Sequence, residues 1–340
     1  MPFMSKHANL SIFVPHVGCP HKCSFCNQNT ITGSSDIPHA ADVKAVCEQA
    51  ISEGVDPKET EIAFFGGSFT AVPRAYMLEL LEAAREYVKK GFSGVRLSTR
   101  PDAITPEILG ILKKYGVTSI ELGAQSMCDD VLSANERGHT AKDVSDASKL
   151  IKDYGFSLGL QMMVGLYKST PEKDIYTAKK LIELEPSEVR IYPVVVLENT
   201  KLGELYKSGE YKTYSLETGV EVCATLLDMF ERENIRVIKL GLHASCDVEH
   251  DMLGGIYHPA LRELCECIRF RRCMERLAAD SGVRDRCTFL VNPRDLSKAL
   301  GQHRCNIVYF KSKGIDVTVK PNAKVAKGVV LSDTEGGSCT

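Results

Sequence analysis

The chain has 340 residues, 44% of them hydrophobic and 25% charged, with a formal net charge of -2. These values belong to a folded globular protein and exclude a disordered, collagenous or coiled-coil chain. No apolar run approaches the roughly 18 to 20 residues of a membrane helix, the densest being Val194 to Leu197. The N-terminus MPFMSKHANL lacks a signal core, so no membrane partner and a cytoplasmic location are expected.

From the N-terminus to about residue 240, short β-rich runs alternate with segments of helical period. The strands are expected at Leu10 to Val14, Glu61 to Phe65, Val95 to Thr99, Ser119 to Gly123, Leu158 to Val164, Glu188 to Pro193 and Arg236 to Leu240. The helices between them are expected at Ala41 to Ser52, Arg74 to Lys90, Pro106 to Tyr115, Ala141 to Tyr154, Pro171 to Glu185 and Leu216 to Glu233. Thr105-Pro106 and Thr170-Pro171-Glu172 mark helix starts, and Tyr115-Gly116 and Tyr154-Gly155 mark helix stops. Consecutive β/α units make a parallel sheet. The expected fold is therefore α/β, a partial (β/α)6-type TIM barrel, whose chemistry sits at the carboxyl ends of its strands.

Around residue 250 the pattern changes. Gly254-Gly255 and His258-Pro259 read as a linker, followed by a basic helix from Leu261 to Leu277 and short strands at Thr288 to Val291 and Ile315 to Val319. The expected division is 1–250 barrel, 251–331 small basic α+β domain and 332–340 flexible tail. From His258 to Lys327 there are 15 Lys/Arg against 7 Asp/Glu, a net of +8 that leaves about -10 for the remainder. An acidic body with a basic module points to a polyanionic partner, most simply nucleic acid. Phe289 to Lys320 reads strand, helix, Gly301-Gln302-His303-Arg304, helix, strand. That order resembles a KH RNA-binding domain, with Arg304 in place of the second glycine of its GxxG loop.

Thirteen cysteines are too scattered for a disulfide scaffold. Three of them follow the first strand as C-x3-C-x2-C: Cys19, Cys23 and Cys26. One reading of that spacing is zinc, with His21 or a distant cysteine as fourth ligand. The reading preferred here is a [4Fe-4S] cluster held by three thiolates, with its fourth iron open to a small molecule. S-adenosylmethionine fits that position through its amino and carboxylate groups, and one-electron reduction then yields a 5'-deoxyadenosyl radical. Cys265, Cys267, Cys273 and Cys287 match no defensible metal spacing, although a second metal there stays open. Cys47, Cys128, Cys223, Cys246, Cys305 and Cys339 are read as unliganded. His16 and His21 border the cluster loop, and His243 and His258 read equally well as structural.

With Phe25 just before the third cysteine and the loop at the end of a barrel strand, residues 8 to 245 resemble the radical SAM superfamily. The resemblance implies that Phe64-Phe65-Gly66-Gly67-Ser68-Phe69-Thr70 is the turn receiving the methionine amino group; glycines there let backbone approach a ligand. Closer still, several strands resemble the radical SAM domain of the Elongator catalytic subunit, a tRNA wobble-uridine modifying enzyme. The matching pieces are Ser98-Thr99-Arg100-Pro101-Asp102, Glu121-Leu122-Gly123-Ala124-Gln125-Ser126, Arg137-Gly138-His139-Thr140, Met162-Met163-Val164-Gly165-Leu166, Ile191-Tyr192-Pro193 and Leu202 to Tyr214. By similarity to coproporphyrinogen-type enzymes, Ser98, Gln125, Arg137 and Gln161 line the S-adenosylmethionine pocket. Gln125 would meet ribose hydroxyls and Arg137 the carboxylate. Ser98 stands where a Glu is usual, and Gln161 where an Asp or His is usual.

The Elongator subunit carries an acetyltransferase domain after its radical domain, and about 95 residues follow Ala244 here, too few for one. The expectation is thus a form without that domain and a reaction that does not depend on acetyl transfer. The substrate expected is an RNA base, tRNA first, met through the basic module, with electrons from a ferredoxin or flavodoxin. Two alternatives stand beside it: radical chemistry on a small molecule such as a porphyrin precursor, and a non-catalytic iron-sulfur RNA-binding protein.

Overall fold

The structure, a computed structural model, describes residues 8–14, 19, 23–27, 36–242, 246–282, 285–333 and 338–339. His16, His21 and His243, and the side chains of Cys246 and Cys339, lie outside the described residues. Contacts divide the chain into two units, 1–214 with 229–256, and 215–228 with 257–340.

The first unit is built on β1 (Ala8–Val14), β2 (Thr60–Gly66), β3 (Gly94–Thr99), β4 (Val117–Gln125), β5 (Ser157–Val164), β6 (Glu188–Pro193), the short β7 (Val195–Leu197) and β8 (Arg236–Leu240). All but β7 form one parallel sheet in the order β1-β2-β3-β4-β5-β6-β8, curled into a half-barrel. Alternation along each strand explains the layers. Ile62 and Phe64, Val95 and Leu97, Ile120 and Leu122, Leu158 and Leu160, and Val189 and Ile191 are buried, on the face that packs against helices. Helix residues such as Leu80, Leu109, Leu112, Val144, Ile151 and Leu181 complete that layer. Burial of each such side chain stabilises the fold by about 1.5–3 kcal/mol. The opposite strand face carries Glu61, Arg96, Ser98, Ser119, Glu121, Gln161, Glu188 and Arg190, so the barrel interior is polar. Thr105, Thr140 and Thr170 each accept a backbone N–H bond at a helix start, satisfying donors that the first turn leaves free.

For the β/α repeat up to residue 240, the strand and helix positions agree with the alternation pattern to within two residues at either end. The Gly254-Gly255 linker is a correction: Met252–Gly255 is a strand, β9, paired antiparallel with β7. The glycines are there for close approach rather than flexibility. A Cβ on Gly255, at φ +116, would lie 2.4 Å from the Val194 carbonyl oxygen. The short helices Asp129–Ala134, Lys201–Lys207 and Cys246–Asp251 are too brief for a periodic signal.

In the second unit, β10 (Arg286–Val291) runs parallel to β11 (Asp316–Pro321) and antiparallel to β12 (Val330–Ser332), which pairs with β13 (Ser338–Cys339). Val330 and Leu331 pair with Cys339 and Ser338, so residues 338–339 add a short strand to the sheet. Helices Leu296–Leu300 and Cys305–Ser312 lie between β10 and β11, joined through Gly301 to Arg304. Just ahead of the helix Leu261–Asp280, His258 Nδ1 accepts the Ala260 N–H at 3.0 Å. Phe270, Met274, Leu277, Phe289, Val291 and Phe310 form the core, and Cys273 and Cys287 pack into it as small apolar residues.

Candidate cofactor site at the carboxyl ends of the strands

Cys19, Cys23 and Cys26 follow β1 and are all half-buried. The loop is pinned at both faces. Ser24 bonds Asn135 twice, N–H to carbonyl at 3.1 Å and Oγ to Oδ1 at 2.9 Å, and its carbonyl accepts the Leu202 N–H at 2.7 Å. Phe25 packs against Val131, Leu166, Val194, Val196 and Leu202. Asn135 is wholly buried and bonds the Tyr167 carbonyl as well. It has no charge or motif to announce it, so sequence reasoning missed it.

Burial raises the pKa of Cys19 and, with the charges of Cys23 and Cys19 beside it, pushes Cys26 up to about 12. The thiols of Cys19 and Cys26, raised in this way, ionise when a cation takes the protons' place. Arg137 Nη1 donates to Cys23 Sγ at 2.9 Å, and the backbone N–H of Ser68 donates to Cys19. Among the described residues, no three His, Cys, Asp or Glu donors converge as a single metal ion requires. A cluster makes no such demand, because each thiolate holds a different iron. The donor set fits an iron-sulfur cluster held by Cys19, Cys23 and Cys26.

The turn after β2 lies against β1. Gly66 has φ +110, a Cβ on it would sit 2.6 Å from the Val14 carbonyl oxygen, and the Gly67 N–H donates to that oxygen at 2.8 Å. Ser68 Oγ meets Thr99 Oγ1 at 2.9 Å and accepts the Arg100 N–H at 3.1 Å. Its side chain thus locks the turn onto β3 while its N–H faces the thiol.

At the end of β4, Gln125 is buried with φ 65, a left-handed conformation uncommon for a residue with a side chain. Gln161 Nε2 donates to its Oε1 at 3.3 Å. Arg137 Nη2 donates to the Gly123 carbonyl at 2.7 Å, and its buried Nε has no partner among the described residues. Arg100 Nη2 donates to the Arg137 carbonyl at 2.6 Å, holding that residue in place. His139 Nε2 lies 3.3 Å from the Ala124 carbonyl and its Nδ1 is orphaned among the described residues. Burial and the Arg137 charge lower its pKa to about 4, so the ring is neutral. Ser98, half-buried, stands opposite Glu121 in register. The structure therefore brings Cys23, Arg137, Gly123, Gln125 and Gln161 into one chain of contacts and ties Ser68 to Cys19, whereas Ser98 stands lower in the barrel beside Glu121.

A half-barrel with three thiols on its first loop and buried, incompletely bonded polar groups facing them is the architecture of an enzyme that binds an iron-sulfur cluster and a nucleoside cofactor. The family models agree: residues 13–181 match the radical SAM superfamily and residues 186–269 the radical SAM C-terminal domain. The chain belongs to the radical SAM superfamily. It is 33% identical over 239 residues to human Elongator complex protein 3, covering 64% of this chain and 43% of that protein. It is 29% identical over 245 residues to the tRNA uridine(34) acetyltransferase of Methanocaldococcus jannaschii, covering 60% of this chain and 45% of that one. The chain thus spans about half the length of the curated relatives it matches. Among solved structures, the archaeal Methanocaldococcus infernus Elp3 superposes with a TM-score of 0.59 at 22% identity, over 82% of this chain and 63% of that one, which supports the fold. No helix among the described residues is long and apolar enough to cross a membrane.

Proposed function

We propose that this radical SAM enzyme modifies a base of tRNA, a uridine in the first instance. The observation that carries the enzyme reading is the half-buried thiol loop with Arg137 on Cys23, facing the glycine turn. The tRNA reading is supported by the names of the relatives and by the exposed cations of the second unit, Arg304, Lys311, Lys313, Lys320, Lys324 and Lys327. Loading of the site with its cluster and S-adenosylmethionine would supply one chemistry, reductive cleavage to a 5'-deoxyadenosyl radical that abstracts hydrogen.

The residues do the rest. Cys19, Cys23 and Cys26 hold the cluster, and Arg137 donates to a thiolate sulfur. Gly66 and Gly67 leave room for the methionine end of the cofactor, Gln125 and Gln161 offer amides to its ribose, and Phe25 with its apolar neighbours keeps water from the loop. The second unit would grip RNA through its cations and the Gly301 to Arg304 turn, where His303 and Arg304 hold left-handed backbone at φ 51 and 61. The reading places the protein in the cytoplasm, with a ferredoxin or flavodoxin as electron donor.

The test is anaerobic reconstitution, reduction with dithionite, and assay of 5'-deoxyadenosine with and without bulk tRNA, followed by mass analysis of tRNA nucleosides. Product formation stimulated by tRNA, with a new uridine derivative, is the expected result. Product stimulated by a porphyrin precursor and not by tRNA would replace the RNA reading. RNA affinity should fall steeply with salt as phosphate contacts are lost.

A further inference from the structure

Gly123, Gln161, Arg190 and Lys239 are register partners on β4, β5, β6 and β8. Partners on neighbouring parallel strands share a face, and Arg190 faces inward, over the Phe65 ring at 4.8 Å and against Glu121. Lys239 therefore points into the barrel at the level of Gln161. Gln161 bonds Gln125 on the cofactor side, so Lys239 stands at the other end of the row.

The remaining charges of the interior compensate one another. Arg96 bonds Glu61 at 2.7 Å, Glu121 at 3.1 Å, and Glu188. Arg190 takes both oxygens of Glu121, at 2.6 and 3.0 Å, and Arg236 donates to Glu188 at 2.7 Å. Three guanidiniums thus meet three carboxylates. A cavity of about 370 Å³ beside them is lined by Asn9, Arg96, Glu188, Arg190 and Arg236, and each of its guanidiniums is already bonded to a carboxylate. Lys239 comes in addition. It is half-buried, it has no ion pair or hydrogen bond among the described residues, and the charge that acts on it is the like charge of Arg190. Burial and that charge both pull its pKa below the ordinary lysine value. Buried charges in proteins are normally paired, and Glu121, the carboxylate on Arg190, is already bonded to two arginines.

We propose that Lys239, with Arg190 and Tyr192 beside it, is the anion site of the substrate pocket and takes a phosphate group of the nucleotide whose base is modified. The proposal rests on the RNA-base reading above. Tyr192, the next inward residue of β6, lies with its Oη 3.5 Å from Arg190 Nη1 and has a hydroxyl proton to donate. The cofactor side of the row would then hold the radical source, and Lys239 the far end of the molecule it attacks.

The test uses the full chain with cluster and S-adenosylmethionine bound, titrated anaerobically by calorimetry with inorganic phosphate, uridine 5'-monophosphate, uridine and acetate. Wild type should bind the monophosphate about tenfold or more tightly than uridine. Lys239→Met should abolish that preference and Lys239→Arg should retain it. Phosphate should raise the melting temperature of wild type and leave that of Lys239→Met unmoved. Because an unpaired charge is removed, the Met variant should melt at or above wild type, which separates lost binding from lost fold. Equal binding of monophosphate and uridine by wild type, an unchanged preference in Lys239→Met, or a Met variant melting well below wild type would each overturn the proposal. Acetate binding without phosphate binding overturns it in favour of a carboxylate. These readouts need no radical chemistry: a wild type that binds phosphate through Lys239 yet leaves tRNA unmodified retires the RNA-base reading alone, and the reverse retires the anion site alone.

Discussion

The two ends of the half-barrel are both polar, and they differ in how completely their polar groups are satisfied. Towards the amino ends of the strands, Arg96, Glu61, Glu121 and Glu188 are all almost fully buried and joined by charge-assisted bonds. At the carboxyl ends, Arg137 Nε and His139 Nδ1 are buried without partners among the described residues, and Gln125 holds left-handed backbone. A closed network braces the inner face of the curled sheet. An incomplete one leaves donors and acceptors for a ligand to fill. The same residue types thus serve structure at one end and binding at the other.

The largest expected effect breaks the incomplete end. Cys23→Ala should bring 5'-deoxyadenosine formation to background and remove the visible absorbance of the cluster, because two thiolates remain for three irons and Arg137 loses its acceptor. Iron and sulfide analysis of the reconstituted variant checks it. A fully loaded cluster in Cys23→Ala would show that another residue supplies the third thiolate.

Next comes the closed end. Arg96→Met should cost about 3–5 kcal/mol, since it strands Glu61 and Glu188 without their shared cation. Urea denaturation measures this. A loss under about 1 kcal/mol would mean that Arg236, the Thr118 and Ser119 hydroxyls and water already satisfy those carboxylates.

A third effect sets two buried titrating groups of the barrel against each other. Folded His139 gives up its proton near pH 4, against an ordinary 6.5. Between those values the unfolded chain holds the extra proton, so stability rises with pH and is lost as pH falls. Asp174 behaves oppositely. Burial raises its pKa from 3.8 to about 6, although Ser169 and Tyr214 hydroxyls and the Gly165 N–H bond it. Between those values the folded chain holds the extra proton, so stability falls as pH rises. Relative to wild type, His139→Asn should therefore tilt the stability profile between about pH 4 and 6 downward with rising pH, and Asp174→Asn should tilt it upward. Each tilt should reach a few kcal/mol across that range, since one proton taken up or released changes stability by about 1.4 kcal/mol for every step of one in pH. Denaturation of the cluster-free chain across that range reads both slopes, and equal slopes in the two variants would refute the assignment.

Much of this was legible in the chain. Period-two alternation and threonine-proline helix starts specify the β/α order, because burial under helices forces a regular pattern. Cys19, Cys23 and Cys26 are legible because a cluster loop is local in sequence. Asn135, Arg100 and Arg190 are not, since their importance lies in bonds to residues 25 or more positions away. Gly254-Gly255 misled for a related reason: a glycine pair that permits close strand approach has the same letters as one that permits motion.

The smallest effect is the one that separates strain from structure. Gln125 lies in a conformation that costs a residue with a side chain about 1 kcal/mol or more and costs glycine nothing. Gln125→Gly relieves that strain but removes a buried amide bonded to Gln161 and loosens the unfolded chain, so the net change in stability should stay within about 1 kcal/mol. If the amide is held there to bind S-adenosylmethionine, affinity should drop about tenfold while the fold is kept, since one hydrogen-bonding group is worth about that much. Calorimetric titration with S-adenosylmethionine beside a denaturation curve gives both numbers. A large loss of stability with little loss of affinity would make Gln125 a plug between β4 and β5, and the strain at the end of β4 would then belong with the closed network at the other end of the barrel.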